Sequence, residues 1–590
     1  MSASDWWKHG TIYQIYPRSF QDSTGDGIGD LNGIRQRLDY LIDLGIDAVW
    51  ISPFYPSPMA DFGYDISNYC DVDPLFGTLG DFDALAADMH RSGLKVIADY
   101  VPNHTSDQHP WFIESKSSRT NPKRDWYLWR NPAADGGPPN NWLSHFGGPA
   151  WTFDETTGQF YCHSFLKQQP DLNWRNPEVR AAMYDVMRFW LRRGVDGFRI
   201  DVLYCVIKDD QFRDNPPNPM WQEGGNSAHR LLPKYTSDRP EVQQIVREMR
   251  KVTDEFSSAD SDRILIGELH LPLDRLMAYY GREPDGRFDG VQLPFNFQLI
   301  RTPWNARAID QVVRDYEGTL PPGAAPNWVL GNHDESRIAT RAGGVDQARL
   351  AAMLLLTLRG TPTLYYGDEI GMTDVAIAAG EVQDPREKNE PGKDLGRDPE
   401  RTPMQWSDEH GAGFTRGDPW LKFGADWKER NVAALMQDES SILALYRRLL
   451  ALRRAEPALH RGAWEPIDAG GQLLAYARVD GARRLVVLLN FGKTAVEVGR
   501  LIAPDRLPAD PVVLLSTRLD ADPAEAEKAR ANRAIAGQAE ANQGGAIPGR
   551  AAPSDADRDG SSLKRANWGE ADRLKLRPFE GKIVVSARQI

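Results

Sequence analysis

Gly194-Val-Asp-Gly-Phe-Arg-Ile-Asp-Val202 reads as a helix end, a tight turn and a short buried strand. Gly194 stands where a helix takes its left-handed stop. Phe198, Ile200 and Val202 alternate with Arg199 and Asp201. On a strand that alternation sends the apolar set to one face and the Arg and Asp to the other. A charged pair on the inner face of a buried strand is costly to keep. It reads either as a structural ion pair or as a carboxylate nucleophile held ionised by the neighbouring guanidinium.

Outward from that stretch, strands and helices alternate. Residues 11–16, 46–53 and 94–101 are predicted as strands one to three, with helices over 31–44 and 81–92. A helix over 177–193 leads into the opening stretch as strand four, and 263–268, 288–293, 327–332 and 361–366 complete a set of eight. Eight strands alternating with helices predict an α/β fold, a (β/α)8 TIM barrel. The alternative, a doubly wound open sheet, lacks support because no Gly-x-Gly-x-x-Gly turn follows the first strand.

Between 103 and 174 the pattern breaks into Pro, Gly, Asn and Trp, the size of a small inserted domain. After a helix over 441–455, residues 473–478, 484–489 and 511–515 look like antiparallel strands of a small β domain. Residues 521–572 interrupt it with Ala, Gly, Asp and Arg; 523–538 is predicted as a polar helix and the remainder as linker. Strand character resumes over 574–585. The expected division is 1–102 and 175–459 for the barrel, 103–174 for the insert and 460–590 for the C-terminal β domain.

The chain has 590 residues, 41% hydrophobic and 26% charged, as a soluble globular protein does. Its formal charge of −13 argues against nucleic acid and anionic membrane as partners. Cys70, Cys162 and Cys205 have no metal-type spacing, and an odd, low count fits a reducing cytosol. The opening Met-Ser-Ala-Ser-Asp-Trp-Trp-Lys has no apolar signal core, so a cytoplasmic location is expected.

In a parallel barrel, chemistry sits at the C-terminal ends of the strands. Strand three ends Asp99-Tyr-Val-Pro-Asn-His104, strand four Arg199-Ile-Asp201, strand five Gly267-Glu268 and strand seven Asn332-His-Asp334. Asp201, Glu268 and Asp334 are thus expected on one rim with His104, His333 and Arg199. Two carboxyl groups straddling an acetal are what glycoside hydrolysis needs. Arg199 would keep Asp201 charged. Glu268, near two other carboxylates, is expected to have its pKa raised, as an acid requires.

These strand ends resemble the signature regions of the α-amylase family, glycoside hydrolase family 13. Gln169-Pro-Asp-Leu-Asn173 resembles the extra motif of its oligo-1,6-glucosidase and α-glucosidase branch. The resemblance implies Asp201 as nucleophile, Glu268 as acid/base and Asp334 as transition-state stabiliser. It implies Tyr64 under the bound glucose, His104, Arg199 and His333 on its hydroxyls or on the nucleophile, and Phe165 as a further wall. Asp61-Phe-Gly-Tyr64 and Arg401-Thr-Pro-Met-Gln-Trp406 also resemble that branch, where the matching Asp and Arg pair across the non-reducing end. Val in the place of Val202 goes there with α-1,6 linkages, and Thr or Ala with α-1,4.

Asp22-Ser-Thr-Gly-Asp-Gly-Ile-Gly-Asp30 resembles a calcium loop. Asp22, Thr24, Asp26, the Ile28 carbonyl and Asp30 are the candidate ligands of a structural calcium or magnesium. Gly33 replaces the bidentate Glu of an EF-hand. A plain Asx turn is the alternative. No cofactor is expected for catalysis. The reading is an exo-acting, retaining α-glucosidase that also transfers glucose, with small α-glucosides as partners and a monomer or homodimer as its state. A sucrose isomerase, sucrose hydrolase or trehalose-forming mutase of the same family is the alternative, followed by a non-catalytic amylase-like scaffold.

Overall fold

Short, largely apolar stretches of three to six residues make the framework that carries the site. A computed structural model describes residues 5–259, 261–519 and 575–589. In chain order, β1 (Ile12–Ile15), β2 (Ala48–Ile51) and β3 (Lys95–Tyr100) are followed by β4 (Trp129–Arg130), β5 (Trp151–Asp154) and β6 (Gln159–Cys162). Then come β7 (Gly197–Ile200), β8 (Ile264–Gly267), β9 (Leu293–Asn296), β10 (Asn327–Val329) and β11 (Thr361–Tyr365). Eight of them close into one barrel in the order β1-β11-β10-β9-β8-β7-β3-β2, with every pairing parallel.

Almost every barrel-strand residue is buried, because a barrel strand has side chains inside and helices outside. Trp50, Ile97, Ile264, Ile266, Leu293, Phe295 and Val329 share one core cluster. The register sets Asp99 beside Arg199 and Ile200 beside Gly267. The ladder runs one step further: Asp201 N–H donates to the Tyr100 carbonyl at 2.8 Å and Glu268 N–H to Ile200 at 3.0 Å. Asp201 and Glu268 are therefore neighbours by strand register.

The expected strands are all present, and the sixth is displaced. Residues 288–291 fold back onto the preceding turn, with Asp289, Gly290 and Val291 N–H donating to Gly281, Tyr280 and Tyr279 carbonyls. The strand itself contains Pro294, which removes a ladder donor and disguises the segment. Val202 also departs from expectation. The strand stops at Ile200, and Val202 takes the left-handed region at φ 36°.

The insert after β3 is more ordered than its Pro- and Gly-rich composition suggests. It contains the helix Pro110–Ser117 and a three-stranded antiparallel sheet in the order β4-β6-β5. Leu128, Trp142, Trp151, Phe160 and Cys162 form its core, so the tryptophans here fill space.

The barrel belongs to a unit of Met1–Arg301, Asp315–Arg341 and Gly360–Ala434; a second unit comprises Thr302–Arg314, Ala342–Arg359 and Leu435–Ile590. The second unit contains a five-stranded sheet of β12 (Ala463–Ile467), β13 (Leu473–Asp480), β14 (Arg483–Asn490), β16 (Pro511–Ser516) and β18 (Gly581–Ser586). Its order is β12-β13-β14-β18-β16, all antiparallel. β15 (Val496–Glu497) pairs with β17 (Lys575–Leu576). Leu473, Ala475 and Ala477 of β13 join Val486 and Leu488 of β14 in one core, the period of two that a half-buried face requires. In the same unit Arg478 donates to the carbonyl of Thr357, the last residue of the helix Val345–Thr357, at 2.6 Å. The expected interruption at 521–572 lies outside the described residues. No helix among the described residues is long and apolar enough to cross a membrane.

Gly194 ends the helix Pro177–Arg192 at φ 98°, as its place in the sequence requires. A Cβ there would lie 3.3 Å from His90. Gly194→Ala is expected to cost about 1–2 kcal/mol of left-handed strain. A fall in apparent Tm, with activity per folded molecule retained, is the expected result of a melting experiment. An unchanged Tm would show that this helix end does not need the left-handed stop.

Candidate active site

The loops that leave the C-terminal ends of the strands surround a cavity of about 1120 Å³. Asp61 and Tyr64 come after β2, His104 after β3, Phe165 after β6, Asp201 and Val202 after β7, Glu268 after β8 and Asp334 after β10. All eight line the cavity. Arg199, His333 and Arg401 stand directly behind them, each fully buried.

Arg199 is the hub. Its Nη1 donates to Asp99 Oδ1 at 2.9 Å and to Asp201 Oδ1 at 2.8 Å, and its Nη2 donates to Glu268 Oε2 at 2.7 Å. Asp99 was not among the expected site residues. It lies on β3, accepts from Trp50 Nε1 at 3.1 Å, and burial raises its carboxyl to about 6 against the pull of Arg199. Glu268 collects two more donors: Val202 N–H reaches Oε2 at 2.9 Å, and His270 Nε2 stands 3.1 Å from Oε1.

This donor set corrects the expected charge assignment. Burial pushes the Asp201 carboxyl well up, and Glu268 and Asp99 add to the rise against Arg199. Burial also raises Glu268, but Arg199 and the His270 bond outweigh it and bring the carboxyl down to about 2. Burial thus acts most strongly against the Asp201 charge, while Arg199 and His270 favour the Glu268 anion. The expected rise of Glu268 is reversed because counting nearby carboxylates leaves out the Arg199 fork and the His270 donor. Val202 itself holds a positive φ, which a β-branched residue adopts only where its surroundings enforce it.

A second ionic cluster lies beside the first. Asp61 Oδ1 accepts from Arg397 Nη2 at 2.6 Å, and Arg397 also donates to Asp384 at 2.6 Å and to Asp334 at 3.1 Å. Arg401 donates to Asp334 at 2.9 Å and to the His333 carbonyl at 2.6 Å. The expected Asp61–Arg401 pair is thus replaced: Arg397 takes Asp61, and Arg401 lies one step deeper. Arg397-Asp-Pro-Glu-Arg401 puts the two arginines one short 3-10 turn apart, so either fitted the sequence. Partial burial acts against the Asp334 charge, but Arg397 and Arg401 hold the carboxyl well below the usual range.

The remaining wall is aromatic. Tyr64 Oη lies 2.6 Å from His333 Nε2, and the two rings are parallel, with centroids 5.3 Å apart. Gln14 donates to His333 Nδ1 at 2.7 Å, which leaves the ring proton on Nε2, facing Tyr64. Burial keeps His333 and His104 neutral, lowering them to about 3 and about 4. Phe165 packs on His104, His145 and Phe146, with centroids 5.3, 5.1 and 5.6 Å away. Gln169, quoted above only for its motif, donates to Asp61 Oδ2 at 3.1 Å and joins the insert to this rim.

The loop Asp22–Asp30 does not converge on a cation. Asp22 Oδ1 accepts from Thr24 and Gly25 N–H, and Oδ2 from Gly27 N–H and Thr415 Oγ1. Asp30 accepts from Ser23 N–H and Oγ and, as a helix N-cap, from Gly33 N–H. Asp26 accepts from Ile28 N–H. Among the described residues no group of three or more Asp, Glu, His or Cys side chains is placed to hold a metal. Asp22, Thr24, Asp26, Ile28 and Asp30 are thus joined in a hydrogen-bonded turn.

The catalytic-domain profile of the alpha-amylase family matches residues 14–462. A probable alpha-glucosidase of Rhizobium meliloti is 44% identical over 506 residues, covering 83% of this chain and 90% of that one. An oligo-1,6-glucosidase of Parageobacillus thermoglucosidasius is 38% identical over 554 residues, covering 88% and 96%. The crystal structure of an alpha-glucosyl transfer enzyme superposes with a TM-score of 0.79 at 41% identity, over 83% of this chain and 92% of that chain. An isomaltulose synthase of Protaminobacter rubrum gives 0.80 at 33%, over 98% and 99%. The family profile runs through the whole barrel and every carboxylate of the two clusters, and the chain belongs to the alpha-amylase family of glycoside hydrolases.

Proposed function

We propose that the protein is a retaining, exo-acting α-glucosidase that releases glucose from the ends of short α-glucosides and passes it to water or to a hydroxyl acceptor. One observation carries the proposal: the guanidinium of Arg199 holds both Asp201 and Glu268. Two carboxyls bonded to one guanidinium are held close together, which favours the roughly 5–5.5 Å spacing of a retaining site over the roughly 6.5–9.5 Å of an inverting one. In the first step the Asp201 carboxylate attacks the anomeric carbon, the bond to the leaving oxygen breaks, and that oxygen takes a proton from Glu268. In the second, Glu268 takes a proton from water or an acceptor hydroxyl, whose oxygen attacks the same carbon and frees Asp201. Asp334, held anionic, stabilises the positive charge of the oxocarbenium-like transition state.

The first step needs the proton on Glu268 and the charge on Asp201. Bound substrate supplies the reason. It presents a glycosidic oxygen lone pair to Glu268, and to Asp201 only an electron-poor carbon. The two carboxyls titrate as a pair, so a hydrogen-bond acceptor beside one of them suffices to redistribute the proton. The Asp61–Arg397–Asp384 fork closes the far end of the cavity and supports exo action, since a paired, buried fork binds terminal hydroxyls and leaves no path for a longer chain.

In this reading residues 103–174 form a domain whose wall carries Phe165, between barrel segments 1–102 and 175–459, and 460–590 form the C-terminal β domain. Small α-glucosides are the substrates. A cytoplasmic location is supported by three thiols that form no disulfide. The likeness to an isomaltulose synthase over 98% of the chain favours sucrose isomerisation as a second reading. Products from sucrose, maltose and isomaltose separate the two.

Glu268→Gln is expected to reduce turnover of maltose far more than that of nitrophenyl α-glucoside, whose aglycone leaves without a proton. Equal losses, under conditions where glycosylation limits both, would remove Glu268 from the acid role. Val202 bears on linkage. It lines the cavity beside Asp201, where in this reading its two methyl groups crowd a second ring bonded through O4, and an O6 linkage has an extra rotatable bond to swing that ring clear. Thr keeps the β-branch and the backbone amide. Val202→Thr is expected to move the kcat/KM ratio of isomaltose to maltose toward maltose by roughly tenfold, about 1.4 kcal/mol. An unchanged ratio would assign linkage choice to the surrounding loops.

A further inference from the structure

His270 lies two residues beyond Glu268 on the cavity wall and has no part in the roles assigned so far. Its Nδ1 is 2.9 Å from Arg301 Nη2. A guanidinium only donates, so Nδ1 accepts and the ring proton sits on Nε2, facing Glu268 Oε1 at 3.1 Å. The ring plane is fixed by Phe297, stacked at 4.5 Å and 14°. Arg301 is exposed, lines the same cavity and forms no ion pair among the described residues. Its contact with the ring is therefore not a by-product of a salt bridge.

The two oxygens of Glu268 are not equivalent. Oε2 already accepts from Arg199 Nη2 and from Val202 N–H, which leaves it no useful direction for a proton. A proton on Glu268 has to sit on Oε1, the oxygen His270 touches. We propose that His270 is a positioning residue: braced by Arg301 and Phe297, it holds the proton-bearing oxygen of Glu268, favours the carboxylate form, and so sets the pH above which the acid step fails. This rests on Glu268 being the acid/base. The other groups that bear on Glu268 are Arg199, Asp201, Asp99, Asp334 and, from the loop after β7, Tyr204. Tyr204 also packs edge-on against the His270 ring, with centroids 6.1 Å apart.

The sign follows from the donor. An N–H bonded to the anion stabilises the anion, so its removal lets Glu268 keep its proton to higher pH. The test is the pH profile of kcat/KM on maltose. His270→Ala is expected to move the alkaline limb up by about one unit, the size of one charge-assisted hydrogen bond. His270→Gln, whose amide N–H replaces Nε2–H, should return the limb toward its wild-type position. Arg301→Met changes only an exposed side chain, and should move the limb the same way by less. An alkaline limb that stays put in His270→Ala, or in Arg301→Met where His270→Ala does not fold, overturns the proposal. Glu268→Gln separates the two levels. If that variant keeps the wild-type alkaline limb, the acid/base reading itself fails; if it abolishes the limb while the His270 variants leave it unmoved, only the positioning role falls.

Discussion

The structure of this site depends on one guanidinium with no exposed surface and three carboxylates to satisfy. Arg199 is 0% exposed, and Asp99, Asp201 and Glu268 all bond to it. Burying a charge is tolerable only when it is paired and hydrogen-bonded. Removing the guanidinium would leave three acids in a low-dielectric pocket, a loss of about 3–5 kcal/mol for even a single broken buried pair. β3, β7 and β8 each contribute one of those acids or the loop behind it, so the barrel register is also the register of the chemistry.

That dependence explains why a β-branched residue tolerates a positive φ at position 202. The chain has to leave β7 immediately after Asp201, or the carboxylate would continue along the strand away from Glu268. At this turn the Val202 N–H donates to Glu268 Oε2 and its side chain lines the cavity. The strain of such a conformation, on the order of 1–3 kcal/mol, is offset by a backbone donor to a buried anion. Glycine would ease the strain, but it would leave the wall without its methyl groups.

The fold was legible because eight apolar strands alternating with helices leave few alternatives, and strand ends are the part of a barrel where charged residues stand out. Seven strands lie where periodicity put them. The sixth was masked by Pro294, and the register of 288–291 is governed by a turn that no periodicity announces. Asp201, Glu268 and Asp334 were readable as strand-end carboxylates. Their protonation was not, because it depends on a backbone amide and on His270, neither of which has a signature in sequence. Arg397 and Arg401 were interchangeable on paper; only the three-dimensional path of the loop decides which meets Asp61. The Asp22–Asp30 loop shows the converse: ligand-type residues at ligand-type spacing, with their oxygens turned onto backbone N–H groups instead.

The two ionic clusters differ in a way that bears on mechanism. Around Arg199, three carboxylates face one cation. Around Arg397 and Arg401, three carboxylates, Asp61, Asp334 and Asp384, face two. In the first cluster burial acts against every charge, and the carboxyls of Asp99 and Asp201 are raised. The second is nearer balance: burial raises Asp61, while the arginines hold Asp384 and Asp334 low. A carboxylate that cannot take the proton is the one suited to stabilise a developing positive charge, while a carboxylate that can is suited to acid/base work. In the proposed function, the role of each acid follows from the ratio of guanidinium to carboxylate around it, a property of the loops after β7 and β11 together.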